Sequence, residues 1–376
     1  MTADEKTTIK EKIASAAIGL GPLPPGSRIG ILGGGQLGRM IVLAAARLGY
    51  RSHVFCPALD EPALQVVEAR TISAYDDLKA IDAFVDSIDV VTFEFENVPS
   101  MVVERIGDRV PTRPGWKILH IAQNRLREKD FLRGIGVPTA DYREITGTDG
   151  LQRAIRDLGT PAVLKSASFG YDGKGQVLIK PDTDQREAWA AMGASIGILE
   201  TFVDFMTEIS VIVARGLDGR MATYDPVENW HVNHILDTTI APARIDARLT
   251  MQAEALARHI AEALDLVGLV AVEMFVTRDG RLLVNELAPR PHNSGHWTID
   301  ACVTSQFEQT VRAVCGLPLG ATERHSNATM KNLIGNEVED WLKILAEPTA
   351  KVHLYGKAHA RPGRKMGHVT RLMPKR

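Results

Sequence analysis

Cysteine is scarce in this chain: Cys56, Cys302 and Cys315 are its only three thiols in 376 residues. Three widely separated cysteines build neither a disulfide framework nor a paired metal motif, and they fit a protein of the reducing cytoplasm. Aromatic residues are few, at 6%. The apolar stretch IASAAIGL near the start is too short to cross a bilayer. It also lacks the basic flank and cleavage site of an export signal, so no membrane role is expected. An excess of one charge is missing as well: 44 Lys and Arg face 46 Asp and Glu, a net charge of −2. That balance leaves no footprint for nucleic acid. No internal repeat is visible. What remains is an ordinary globular composition, 45% hydrophobic and 24% charged, in a chain long enough for two or three domains.

Residues 1–26 read as an N-terminal extension without fixed order. The fold begins at RIGILGGGQLGRM, where Ile29–Leu32 form an apolar strand, glycines make a turn and Gln36–Leu48 form a helix. A second strand at His53–Phe55 completes a βαβ opening, which implies a parallel sheet. The stretch DVVTFEFENVP reads as a further strand. It delivers Glu94 and Glu96 to the end of the sheet where open α/β folds place ligands. Gly33, Gly35 and Gly38 carry the G-x-G-x-x-G spacing. Yet Cys56 and Pro57 stand where a dinucleotide site needs its ribose-binding acid, which argues against NAD. A glycine-opened helix start still offers backbone N–H groups to a phosphate.

Further on, PAVLKSASFGYDGKGQVLIK reads as strand, glycine-rich loop and strand, a small β unit with a flap. Lys165 lies inside the first of these apolar strands. A lysine there needs a partner, and a phosphate suits it.

The segment GLVAVEMFVTRDGRLLVNELAPR places two apolar strands around Asp279-Gly280, a preferred pair for a two-residue turn with positive φ at both positions. Counting outward from that turn sets Glu273 directly opposite Glu286, with Cβ atoms roughly 4.5–5.5 Å apart. A longer turn would break this register, and exposed strand-edge acids are the plainer alternative. Two facing carboxylates repel unless a proton or cation sits between them. Hard oxygen donors without an in-register His or Cys favour Mg²⁺ or Mn²⁺ over zinc. Two carboxylates leave most of a Mg²⁺ shell to water and phosphate oxygens, which predicts a nucleotide nearby. Strand alternation points Asn285 to the other face unless it swings in at the strand end.

The series GILGGGQLGRM, TFEFENVP, SFGYDGKGQ, VNELAPRPHNSGHWT and RPGRKMGHVT resembles the 5-(carboxyamino)imidazole ribonucleotide synthase family of the ATP-grasp superfamily, from about Arg28 to the C-terminus. The resemblance implies an α/β architecture with a Rossmann-like N-terminal domain (27–123), a small central lid (124–199) and a C-terminal ATP-grasp domain (200–376). It implies ATP as co-substrate, Mg²⁺ (or Mn²⁺), bicarbonate activated as carboxyphosphate, and 5-aminoimidazole ribonucleotide as the carboxylated amine. A cytoplasmic homodimer is implied too. The alternative within the superfamily is a ligase resembling biotin carboxylase or formate-dependent glycinamide ribonucleotide transformylase. A non-enzymatic NAD-binding module leaves the glutamate pair unexplained.

Carried onto this sequence, the resemblance gives Arg125 and Lys165 as cations near the phosphates. Gly170, Tyr171, Asp172, Gly173, Lys174, Gly175 and Gln176 form the lid loop. Glu200, Thr201, Phe202 and Val203 form the adenine hinge, Glu208 meets the ribose, and His231 and Asn285 are further nucleotide contacts. Glu273 and Glu286 are the metal ligands. Arg290, His292 and Asn293 match the contacts to bicarbonate and the aminoimidazole. Prolines at 289 and 291 stiffen that loop. Lys357, Arg364 and Lys365 grip the substrate phosphate, while Gln36, Leu37 and Glu94, with Tyr171 and Asp172 of the lid, surround the substrate. The base that takes the amine proton is left open between His292 and the departing phosphate.

Overall fold

The computed structural model describes residues 21–168 and 175–375. Three sheets account for the architecture. The first is parallel, in the order β3-β2-β1-β4, built from β1 (Arg28–Leu32), β2 (Arg51–Cys56), β3 (Ala69–Ile72) and β4 (Val90–Phe93). Ile29, Ile31, Val54, Val90 and Val91 are all buried, as expected for a parallel sheet covered by helices on both faces. The helix Gln36–Arg47 follows β1 directly, so the expected βαβ opening is present. The last residues of the supposed N-terminal extension are docked. The Leu23 amide donates to the Cys315 carbonyl at 2.8 Å, and the Tyr50 hydroxyl donates to the Leu23 carbonyl at 2.6 Å.

The second sheet is small and antiparallel, ordered β5-β8-β6-β7, with β5 (Tyr142–Ile145), β6 (Ala162–Ser166), β7 (Gln176–Ile179) and β8 (Gly197–Thr201). Strands β6 and β7 pair with Lys165 opposite Gln176, the strand–loop–strand unit anticipated around the glycine-rich loop. Helices Thr148–Leu158 and Gln185–Met192 cover it. Five of the loop residues singled out from sequence, Gly170 to Lys174, lie outside the described residues.

The third sheet has nine strands in the main order β14-β13-β9-β11-β12-β15-β17-β16, with β10 added to β9. They are β9 (Phe205–Arg215), β10 (Met221–Thr223), β11 (Val227–Val232), β12 (Ile235–Ala241), β13 (Gly268–Thr277), β14 (Leu282–Ala288), β15 (Ser326–Ile334), β16 (Ala350–Leu354) and β17 (Lys365–Pro374). The helix Ala247–Ala263 buries Leu249, Ala253, Ala257, Ile260 and Ala261 in the same core as Val211, Val213, Val270 and Val272. Their spacing by three and four residues gives one apolar face, which is why this segment is a helix laid on the sheet.

Candidate active site

A cleft of about 1080 Å³ opens where the three sheets meet, and its walls include residues from each of them. Its floor is the β13–β14 hairpin. Glu273 and Glu286 do pair across these strands, but not through the expected turn. The loop has three residues, Arg278–Gly280, closed by the Thr277 amide donating to the Arg281 carbonyl at 3.0 Å. Of the three only Gly280 takes the left-handed conformation, at φ +76°, as three-residue hairpin loops require. This shifts the register by one, so that Met274 faces Val284. A β-bulge then intervenes and Glu273 again faces Glu286. Asn285 is the extra residue. The bulge turns it toward the cleft, which it lines, rather than to the far face that strict alternation gives.

The bulge is gripped by a helix. Asn124 caps the helix Arg125–Gly134 by accepting from the amides of Leu126 and Arg127. Its residues 125, 128 and 129 share one face. Arg125 Nη1 meets Glu286 Oε2 at 3.1 Å. Glu128 accepts from the Leu287 amide at 3.0 Å. Lys129 Nζ donates to the carbonyls of Val284 (3.2 Å) and Asn285 (2.8 Å). The helix therefore satisfies the outer edge of β14, the edge strand of the sheet. Burial first, and then the charge of Glu286, push Glu128 up to about 8, while burial pulls Lys129 down. Neither residue was singled out from sequence. The readable signal was the i, i+3, i+4 spacing of Arg125, Glu128 and Lys129 after a capping asparagine.

Lys165 does not wait for a phosphate to balance it. Its Nζ donates to Glu200 Oε2 at 2.6 Å, and Lys129 stands 3.8 Å from the other oxygen. Burial alone would raise Glu200, but Lys165 and then Lys129 hold it at about 2. The partner that a lysine inside an apolar strand needs is thus supplied within the protein by a carboxylate on the neighbouring strand β8. Lys165, Gln176, Glu200, Thr201, Phe202 and Val203 nonetheless line the same wall of the cleft. Gly175 sits beside them with φ +69°, and an added Cβ would stand 2.8 Å from Ser166 Oγ. On the opposite wall His231 Nδ1 lies 2.5 Å from Glu208 Oε2. Burial lowers His231, but Glu208 outweighs it and raises the imidazole above its usual value.

Beyond the hairpin, the loop 289–296 supplies Arg290, His292 and Asn293. Arg290 forms an ion pair with Glu96. Burial would raise Glu96, but the guanidinium more than offsets this and holds it below the ordinary range. His292 Nε2 is 2.9 Å from Glu273 Oε1. Burial would also raise Glu273, but the contact with His292, with His231 and Arg290 behind it, holds it below the usual carboxylate range. Asn293 lines the cleft as well. Its side chain is buried and forms a reciprocal amide pair with Asn332, at 3.0 and 2.5 Å, so it braces the loop.

At the parallel-sheet corner, Gln36, Leu37 and Glu94 line the cleft. The glycine turn is partly filled by the protein's own carboxylate. Glu94 accepts from the Gly35 amide at 2.9 Å and the Gly38 amide at 3.3 Å. The glycines are required for this approach, since a Cβ on Gly35 would meet Glu94 oxygens at 2.7 and 2.9 Å. Two of the turn's backbone donors are thus used by Glu94.

Cations approach this corner from the C-terminal strap. Lys365 lines the cleft, whereas Lys357 and Arg364 stand outside its lining residues. Lys357 Nζ donates to the Lys365 carbonyl at 2.8 Å, and Arg364 Nη1 to the His359 carbonyl at 2.9 Å. Burial, and then repulsion from Arg364, pull Lys357 down to about 8. Clustered cations of this kind are relieved by an anion.

Comparison with known proteins adds to this geometry. Residues 27–123 match a ribonucleotide synthetase preATP-grasp domain, residues 130–307 an ATP-grasp domain, and residues 328–376 a phosphoribosylaminoimidazole carboxylase C-terminal domain. The N5-carboxyaminoimidazole ribonucleotide synthase of Brucella melitensis is 47% identical over 94% of this chain and 98% of its own length. A bifunctional purine synthesis protein of Dictyostelium discoideum is 48% identical over 93% of this chain, which spans 37% of that larger protein. Among solved structures, an ADP complex of N5-carboxyaminoimidazole ribonucleotide synthetase has a TM-score of 0.91 at 45% identity, covering 93% of each chain. The Aspergillus clavatus synthase with ADP and 5-aminoimidazole ribonucleotide scores 0.88 at 33% identity, over 93% of this chain and 95% of that one. With the opposed glutamates, the cation-lined walls and full-length matches in agreement, the chain belongs to the N5-carboxyaminoimidazole ribonucleotide synthase family of ATP-grasp enzymes.

Proposed function

We propose that the protein is an ATP-dependent carbon–nitrogen ligase that carboxylates 5-aminoimidazole ribonucleotide with bicarbonate in purine biosynthesis. The observation that carries this reading is the opposed pair Glu273 and Glu286 at the floor of a cleft whose walls present Arg125, Lys165 and Arg290. Bicarbonate oxygen attacks the γ-phosphorus of ATP, ADP leaves, and carboxyphosphate forms. The substrate amine then attacks its carboxyl carbon, the bond to phosphate breaks, and a carbamate results. Catalysis of this type is chiefly positioning and charge neutralisation.

The parts follow the three divisions 27–123, 124–199 and 200–376. Arg125 and Lys165 face the phosphates, while the segment 200–203 and Asn285 flank the adenine and its phosphates. Glu208 and His231 take the ribose. Gly170–Gln176 act as the flap that excludes water, which matters because carboxyphosphate hydrolyses. Arg290 offers a guanidinium fork to planar bicarbonate, with His292 beside it and Asn293 bracing the loop. Gln36, Leu37, Glu94, Tyr171 and Asp172 surround the aminoimidazole, and Lys357, Arg364 and Lys365 meet its phosphate.

The donor set fits a hard divalent ion. Two carboxylates face each other in register, and Asn285 lines the cleft with them. Glu273 and Glu286 would hold Mg²⁺ or Mn²⁺, which when bound neutralises the phosphate charge. The three buried, unpaired cysteines fit a reducing cytoplasm, and we infer a homodimer from the family resemblance. No helix among the described residues is long and apolar enough to cross a membrane.

The test is phosphate release from ATP with bicarbonate present. It is expected to depend on 5-aminoimidazole ribonucleotide. Dependence on biotin or formate in its place rejects the reading in favour of another ATP-grasp ligase.

A further inference from the structure

His292 is fastened from behind by a line of buried polar groups that crosses the large sheet. Its Nδ1 lies 2.8 Å from Ser294 Oγ. Ser294 Oγ is 2.6 Å from Ser210 Oγ on β9. Ser210 Oγ receives Asn229 Nδ2 of β11 at 2.9 Å, and Asn229 Oδ1 receives the hydroxyl of Thr239 on β12 at 3.0 Å. Ser210, Asn229, Thr239 and Ser294 are all buried, at 5% exposure or less. The backbone of His292 is held as well, since Gln306 accepts from its amide at 2.9 Å and donates to its carbonyl at 2.7 Å.

The line has a direction. A serine hydroxyl carries one hydrogen, and an amide NH₂ only donates. Ser210 accepts from Asn229, so its own hydrogen goes to Ser294, and the Ser294 hydrogen goes to Nδ1 of His292. The far end agrees independently: the Ser294 backbone N–H also points at Nδ1, at 3.4 Å, and a backbone N–H cannot accept. Running the line backwards would aim two donors at Ser210 and strand its hydrogen in a buried place, at a cost of roughly 1–3 kcal/mol.

We propose that Thr239, Asn229, Ser210 and Ser294 are positioning residues that fix His292 as the tautomer protonated on Nε2. The imidazole then presents an N–H, not a lone pair, to Glu273 and to the cleft. In the carboxylation reading, on which this role rests, Nε2 holds an oxygen of bicarbonate or carboxyphosphate by donation, and it is not the base for the substrate amine. A tether drawn from three neighbouring strands sets this for one loop side chain.

The tautomer can be read without any substrate. In ¹⁵N-histidine spectra of the whole protein, with the His292 signals identified by their loss in His292→Gln, a directly bonded proton is expected at Nε2 and none at Nδ1. A proton on Nδ1, or an averaged pair, overturns the proposal. Asn229→Asp replaces the donor by an acceptor of the same shape, so Ser210 turns toward residue 229. The proton is then expected on Nδ1, and kcat for carboxylation is expected to fall about ten- to hundred-fold with the KM for ATP unchanged. Ser210→Ala, which cuts the line without adding charge, serves if the aspartate variant does not fold; mixed tautomers are expected. A proton still on Nε2 alone in both variants, or a reversed tautomer with undiminished kcat, refutes the role. Failure of ribonucleotide-dependent turnover in the unmodified protein refutes the reaction and leaves the tautomer result standing on its own.

Discussion

Two acidic sites share one cleft and are built on opposite plans. Glu94, at the end of β4, has its oxygens bound to backbone amides of Gly35 and Gly38. Those donors are part of the chain and cannot move aside. Glu273 and Glu286 meet side chains instead, His292 and Arg125, and neither contact involves a main-chain amide. A carboxylate tied to main-chain N–H groups is a piece of structure. One that meets only side chains keeps oxygen lone pairs for a ligand that enters the cleft. The contrast separates an acid bound to the main chain from two acids bound to side chains.

The strongest way to break this contrast is Glu286→Gln. ATP hydrolysis and carboxylation are expected to fall together by about a hundredfold or more. Thermal unfolding monitored by circular dichroism should stay near that of the unmodified protein. A variant that keeps turnover would place the working carboxylate elsewhere. A smaller and more selective effect is expected for Lys357→Met. It should raise the KM for the ribonucleotide about tenfold, a loss of about 1.4 kcal/mol, with the KM for ATP little changed. An equal rise in both constants would move Lys357 out of the phosphate site. The smallest change in turnover is expected for Glu94→Gln, which swaps an acceptor for a donor in front of two amides. Here the readout is urea unfolding, with stability expected to fall by roughly 1–3 kcal/mol. Should Glu94→Gln abolish turnover without loss of stability, the contrast between the two sites fails.

How much of this was readable in the sequence varies by element. The βαβ opening, the strand–loop–strand unit and the pairing of Glu273 with Glu286 were all legible, because alternation and turn residues are local signals. The pairing was reached through a wrong turn. A three-residue loop displaced the register by one and the bulge at Asn285 displaced it back. A bulge leaves no distinctive residue pattern, so nothing in VNELA announced it. Lys165 was rightly marked as needing a partner, yet its partner Glu200 stood 35 residues away. The glycine spacing was visible, but that Glu94 would fill the turn was not, since 59 residues separate it from Gly35.

By itself, then, the sequence determined the elements, the acids at strand ends, the basic strap and the family to which they point. Periodicity, turn chemistry and motif spacing act over a few residues and are written in order along the chain. Tertiary structure alone decided which charge neutralises which, that Asn285 turns into the cleft, that Asn293 pairs with Asn332, and which way His292 carries its proton. Each of those depends on a buried polar group finding its partner from a distant segment, and only the folded chain brings the two within hydrogen-bond reach.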